Sequence, residues 1–319
     1  MFRNEQIITL FHTLGNHELY NFDRAAMSYL FDKYLFEHSH SEHSFGVNNP
    51  KAALSTIDGD TSHPLYYKFY PAEGVKFISL DTYDISVLGY AESHPKFQLA
   101  AALLEQYHGH RDQDLWDTDQ ALPPGPNRRF QASNGALSEE QLAWLDAELA
   151  DSDLQQEIVV VFGHVGLHPG SCGWDSLLWN YERVLEIFGN HQCVVAYFSG
   201  HAHNAGYALD GGSGIHYVVY HGVIETAPTE DCFATVSLFA DPGRLVVDGR
   251  GVEQSLTLPF TAPDKRRKEG LKLSSADGGD GSSVDGVGED GSSAALEELP
   301  ETTVVATVVQ CMMEVEVEV

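Results

Sequence analysis

Four histidines and one asparagine in this 319-residue chain sit just behind short apolar runs, each group introduced by a glycine. Gly15-Asn16-His17-Glu18 follows "IITLFHTL" (7–14), Gly163-His164 follows "EIVVVF" (157–162), and Gly200-His201-Ala202-His203 follows "CVVAYFS" (193–199). Imidazole nitrogens and an amide oxygen are good ligands for Mn²⁺, Zn²⁺ or Fe²⁺. A glycine ahead of each ligand lets the backbone turn sharply off a strand and bring the side chain in. One such box alone is weak, because a histidine at a strand end is often just a hydrogen-bonded histidine. Three in one chain, each after an apolar run, point to a metal centre.

The elements that must hold these boxes follow from periodicity. Near-continuous apolar runs such as 157–162 and 193–199 are typical of strands covered on both faces. Ligands just past the carboxyl ends of such strands are where α/β sheets bind substrates. "LYYKFYPAEGVKFISLDTY" (65–83) predicts a hairpin around Pro71-Ala72-Glu73-Gly74. Helical spacing predicts helices over 23–36 with Asp23 as N-cap, over 95–107, over 138–149 and over 177–188. Ser138 and Gln141 have the spacing of a capping box. From 206 to 258 consecutive strands alternate with Gly-rich turns, which predicts an antiparallel sheet closing the domain. "HSHSEH" (38–43) has no strand behind it and reads as a solvent-exposed loop.

The net charge is −29, and 43% of the residues are hydrophobic, enough to bury a core. Such acidity argues against nucleic acid, which needs a basic surface, and against an anionic membrane surface. Residues 263–319 hold five basic and thirteen acidic side chains, leaving 13 and 34 in residues 1–262, so the folded body is acidic too. Four scattered cysteines make neither a disulfide framework nor a structural zinc site. The N-terminus lacks the apolar core of a signal peptide, and no apolar run is long enough to span a bilayer, so a cytoplasmic protein is expected. Two units are expected: a domain over 1–262, and a Gly/Ser-rich acidic tail over 263–319 that is disordered by composition. "TTVVATVVQCMMEVEVEV" (302–319) alternates like a strand from Glu314 on, but with no evident partner it reads as an unstructured terminus.

The boxes resemble those of the calcineurin-like metallophosphoesterases. More narrowly, the chain is similar to the manganese-dependent ADP-ribose/CDP-alcohol diphosphatases, through "GNHELYNF" (15–22), "FISLDTYDISVLG" (77–89), "SNGALSEEQLAWL" (133–145), "LLWNYERVL" (177–185), "GHAHNAGY" (200–207) and "GVIETAP" (222–228). The resemblance covers essentially all of residues 9–252. It implies an α/β sandwich of two mixed β-sheets flanked by helices. It implies that Asn16, His164 and His201 ligate one ion and His203 another, with manganese the metal. His17 would stand over the scissile phosphate as acid, oriented by Glu18, while Asn134, Trp179, Asn180 and Tyr181 would bind substrate. The reaction implied is metal-assisted, in-line cleavage of the diphosphate of ADP-ribose or a CDP-alcohol, giving a nucleoside monophosphate and a phosphorylated alcohol.

The family pattern opens with an Asp-x-His box and then Gly-Asp-x-x-Asp, and neither occurs in these 319 residues. Two dications a few ångströms apart repel strongly without a bridging carboxylate. At most one ion is therefore expected here, unless Asp81 or Asp84 replaces the missing carboxylates. The absent boxes imply absent first strands, and an incomplete reading of the gene is the leading explanation. Two functions follow: a metal-dependent phosphohydrolase of small nucleoside-diphosphate-linked substrates, impaired in this chain, or a non-catalytic remnant that binds a nucleotide or a protein through the surviving cleft.

Overall fold

The structure, a computed structural model, describes residues 10–31, 64–117, 122–262, 303–309 and 312–318. The histidine-rich run at 38–43 and the Gly/Ser-rich stretch at 263–302 lie outside the described residues. Two six-stranded sheets form in the order β2-β3-β4-β5-β7-β6 and β1-β12-β11-β8-β9-β10.

In the first sheet, β3 (Val75–Ser79), β4 (Ile158–Phe162), β5 (Val194–Ser199) and β7 (His216–Val219) run parallel. Every residue of these four strands is buried, as the mostly apolar runs of a sheet covered on both faces require, with Lys76, Ser79, Ser199 and His216 the polar exceptions. β2 (Tyr67–Ala72) and β6 (Gly206–Leu209) close the edges antiparallel. The β2–β3 hairpin turns through Gly74 at φ 73°, a left-handed conformation that glycine adopts without steric cost. Helix α3 (Pro95–His108) and helix α4 (Glu139–Gln155) lie between β3 and β4, and α5 (Tyr181–Asn190) joins β4 to β5. Helix α4 lies over β3, whose fully buried Lys76 places Nζ 3.0 Å from Glu157, 3.3 Å from Asp151 and 3.5 Å from Glu148. A buried ammonium needs such partners, because leaving water unpaired is far costlier than any packing gain.

The second sheet pairs antiparallel throughout its described strands, so only the first is mixed. Along β8 (Cys232–Phe239) buried and half-buried residues alternate, with Cys232, Ala234, Val236 and Leu238 facing in. β9 (Arg244–Gly251) adds Leu245 and Val247, and β10 (Leu256–Pro259) completes that edge. This inner face shares one apolar core with the first sheet. At the other end, Phe11 of β1 (Leu10–His12) lies flat on Phe69 of β2, with ring centroids 3.5 Å apart. Tyr67 donates to the His12 carbonyl at 2.8 Å and Thr13 to the Leu80 carbonyl at 3.3 Å, so the end of β1 is tied to the first sheet. Two short helices follow, α1 (Asn16–Asn21) and α2 (Arg24–Phe31), the latter with the Ala26 N–H donating to Asp23 as its N-cap.

The terminal run corrects the expectation of an unstructured end. Residues Thr303–Val309 form β11 and Met312–Glu318 form β12, paired antiparallel with each other. β11 lies against β8 and β12 against β1, so the hairpin joins the two halves of the second sheet. A lone alternating segment is marginal, but a hairpin brings one partner with it, and the free edges of β8 and β1 supply the others. Among the described residues, no helix is long and apolar enough to cross a membrane.

Candidate metal centre

The three glycine-led boxes converge. β1 delivers Asn16 at the first residue of α1, β4 delivers His164, and β5 delivers His201 and His203, each at the carboxyl end of its strand. Asn16 Oδ1 stands 2.9 Å from His164 Nε2, and His201 Nδ1 stands 3.2 Å from the same nitrogen. Asn16 and His164 are buried. Asn16 Nδ2 is 3.3 Å from the Tyr20 hydroxyl, one helical turn on, which turns the amide oxygen toward the histidines. Gly163 and Gly15 fit only as glycines: a Cβ on Gly163 would lie 2.6 Å from the Tyr197 hydroxyl, and one on Gly15 would lie 2.9 Å from the His164 ring.

His201 and His203 occupy the left-handed region, at φ 65° and 58°. For a non-glycine residue that costs on the order of 1–3 kcal/mol and persists only where the surroundings dictate it. Here the Gly200 N–H donates to the His164 carbonyl, the Ala202 N–H to the Gly200 carbonyl and the Gly222 N–H to the His203 carbonyl. A Cβ on Gly222 would lie 2.8 Å from the His203 ring, so that glycine too is required.

Burial, with repulsion from His201 and the other histidines, holds the His164 imidazole well below its ordinary range, and burial with repulsion from His203 and His17 lowers His201 to about 3. Both rings are therefore neutral at physiological pH and offer lone pairs, which ligation requires. Donors about 2.1 Å from one ion and at right angles to each other stand about 3.0 Å apart, which matches the separations found here. The residues present fit one divalent ion. Among the described residues no three His, Cys, Asp or Glu side chains gather as a metal site, so the third donor is the Asn16 amide oxygen.

His203 and His17 stand at the mouth, with ring centroids 5.9 Å apart. His17 is exposed, and its ring meets Tyr20 edge-on at 5.7 Å. His203 Nδ1 lies 3.1 Å from Glu225 Oε1, a partner that the sequence reading missed although Glu225 lies within the quoted string 222–228.

The other expected site residues are described by what their side chains touch. Glu18 accepts the Gly15 N–H at 3.0 Å, closing the loop ahead of the ligand; this, not His17, is its hydrogen-bond partner. Trp179 is buried beside Phe97, Leu104 and Phe130, with its indole donating to the Gln131 carbonyl at 3.1 Å. Asn180 brackets Leu137, accepting from its N–H and donating to its carbonyl at 2.9 Å. Tyr181 is buried at the start of α5 under the Arg129 guanidinium, 5.2 Å from its ring centre. Asn134 is fully buried with its oxygen on His201. All four make hydrogen bonds or ring contacts that hold the scaffold, with Asn180 half-buried and the other three buried.

Asp81 and Asp84 do not substitute for the absent carboxylates. Asp81 pairs with buried Arg24, whose Nη1 also donates to the Tyr83 carbonyl at 3.1 Å. Asp84 pairs with Lys96 and takes hydrogen bonds from Ser138 and Gln141. Ser138 caps α4 by accepting from the Gln141 N–H, but the Gln141 amide reaches Asp81 and Asp84 instead of closing a capping box. The network braces the turn carrying Tyr83, whose ring lies 5.9 Å from that of His164.

An α/β sandwich of two sheets with these ligands at its strand ends is the architecture of a metallophosphoesterase. No family model matches the chain. It is 37% identical over 257 residues to the manganese-dependent ADP-ribose/CDP-alcohol diphosphatase of Danio rerio, covering 80% of this chain and 73% of the relative. Identity to the Homo sapiens protein of the same name is 35% over 247 residues, covering 76% and 66% of the two chains. A crystal structure of a dimetal phosphatase from Danio rerio superposes with a TM-score of 0.62 at 34% identity, covering 78% of this chain and 72% of that one. The chain belongs to the family of manganese-dependent ADP-ribose/CDP-alcohol diphosphatases.

Proposed function

We propose that this chain is a Mn²⁺-dependent phosphohydrolase that cleaves the diphosphate of small substrates such as ADP-ribose or a CDP-alcohol. The observation that carries this reading is the convergence on His164 Nε2 of Asn16 Oδ1 at 2.9 Å and His201 Nδ1 at 3.2 Å. When bound, a divalent ion neutralises phosphoryl oxygens and activates water. The chain's own residues do the rest. His17, exposed beside His203, is placed to hydrogen-bond the phosphate and to protonate the departing oxygen as general acid. His203 is itself held by Glu225, 3.1 Å from its Nδ1. The acidic body does not oppose an anionic substrate, because the ion dominates the charge where the phosphates bind. With Asp81 and Asp84 engaged by Arg24 and Lys96, the described residues supply ligands for one ion.

Phosphorus NMR on the 319-residue protein incubated with ADP-ribose and Mn²⁺, recorded after the Mn²⁺ is removed by chelation, should show AMP and ribose phosphate, at a rate well below that of the Danio rerio relative assayed beside it. His164→Ala should abolish the signal. A second reading, a non-catalytic module that binds a nucleotide, is favoured by the commitment of both nearby carboxylates to Arg24 and Lys96. Nucleotide binding with Mn²⁺ but no product after long incubation would establish that reading and remove the first.

A further inference from the structure

Asn134 lies outside the metal boxes, yet it touches one of the ligands. It sits fully buried on the turn ahead of α4. Its Nδ2 donates to the Arg129 carbonyl at 2.8 Å and to the Asp175 carbonyl at 2.7 Å. A carboxamide has two N–H groups to give, and both are used. Turned over, the same amide would press its oxygen against two carbonyl oxygens, so only one orientation is tenable. That orientation sets Oδ1 2.6 Å from His201 Nε2. An amide oxygen only accepts, so Nε2 must carry the ring proton and Nδ1 the lone pair. Nδ1 is the atom that faces His164 Nε2 at 3.2 Å.

We propose that Asn134 is a positioning residue of the metal centre: its doubly anchored carboxamide fixes His201 as the Nε2–H tautomer and so assigns ligation to Nδ1. The consequence for the ion rests on the phosphohydrolase reading; the tautomer itself does not. The backbone of His201, strained at φ 65°, places the ring, and Asn134 decides which nitrogen it presents. Partners of this kind on a ligating imidazole set its orientation and basicity, and losing one costs about 10- to 100-fold in metal affinity.

Heteronuclear NMR of the isotopically labelled full chain, with His201 assigned by comparison with His201→Gln, tests this without turnover. Free of metal, His201 should show a protonated Nε2 and a bare Nδ1. Titration with diamagnetic Zn²⁺ should move the Nδ1 resonance and leave the Nε2 proton in place. In Asn134→Ala the tautomers should mix, and Mn²⁺ affinity should fall about 10- to 100-fold. A protonated Nδ1 in the metal-free wild type, or a Zn²⁺ shift at Nε2, overturns the proposal even if the variant does not fold. So does a folded Asn134→Ala with unchanged tautomer and affinity. Zn²⁺ that moves no imidazole resonance would instead sink the metal-centre reading, and the metal-free tautomer would still decide what Asn134 does to His201.

Discussion

At the scale of single residues, the site separates groups that hold an ion from one that handles a proton. His164 is buried and His201 half-buried, and both are kept neutral, whereas His17 is exposed. His17→Ala should therefore lower kcat far more than it raises KM, because the proposed contact strengthens only in the transition state. His201→Ala should weaken ion binding instead. Both variants measured across a Mn²⁺ titration separate the roles, and full rescue of His17→Ala by excess Mn²⁺ would make His17 a ligand. Gly15→Ala tests the packing between the boxes: its Cβ would stand 2.7 Å from Glu18 Oε2 and 2.9 Å from the His164 ring. Forcing a methyl into such a contact costs about 1–3 kcal/mol. Ion affinity should drop along with melting temperature, and an unchanged affinity would show that the His164 ring yields freely. The boxes were legible in the sequence because a glycine-led ligand after an apolar run is a local pattern. The partners were not. Asn134 meets His201 across 67 residues and Arg24 meets Asp81 across 57, and spacing along the chain carries no trace of either.

At the scale of elements, the buried pair of Arg24 and Asp81 joins α2 to the turn after β3 and, through Gln141, to the start of α4. Burial draws the Asp81 carboxyl upward and Arg24 pulls it back, with the upward shift prevailing. Removing one partner of such a pair leaves an uncompensated buried charge and costs about 3–5 kcal/mol. Arg24→Leu should destabilise by that order in denaturant titration. Arg24→Lys should recover only part of it, since an ammonium cannot serve both Asp81 and the Tyr83 carbonyl in the fixed fork of a guanidinium. Equal stability of Arg24→Leu and wild type would show that the network contributes nothing. The helices and the β2–β3 hairpin followed the sequence because period and turn chemistry are local. Asp81 and Asp84 looked like spare ligands for a complementary reason: a carboxylate read in one dimension does not reveal which cation has claimed it.

At the scale of the whole molecule, the second sheet depends on the chain's end. β11 pairs with β8 from Thr303↔Phe239 to Val308↔Ala234, and β12 pairs with β1 from Leu10↔Glu314 to His12↔Met312. Only the alternation from Glu314 hinted at a strand; that Thr303–Val309 and Met312–Glu318 fill one gap between β1 and β8 is a property of the assembled sheet. Without them, one edge of β8 and the edge of β1 that pairs with β12 lose their hydrogen bonds, and apolar edges are exposed. Truncation after Ala262 should therefore lower the melting temperature by several degrees, where the sequence reading alone expected no change. Each 1 kcal/mol lost shifts a domain of this size by about 2–4 °C. The ion should feel it too, because β1 leads directly into Gly15 and Asn16. Ala306→Pro separates pairing from mere chain length: Ala306 faces Val236 on one side and Val315 on the other, and a central strand does not tolerate a residue without an N–H. The substitution should destabilise nearly as much as the truncation and weaken Mn²⁺ binding in parallel. If both proteins melt with the wild type and bind Mn²⁺ equally well, the hairpin is no part of the sheet in solution, and β1 must hold Asn16 in place through Phe69, Tyr67 and Leu80 alone.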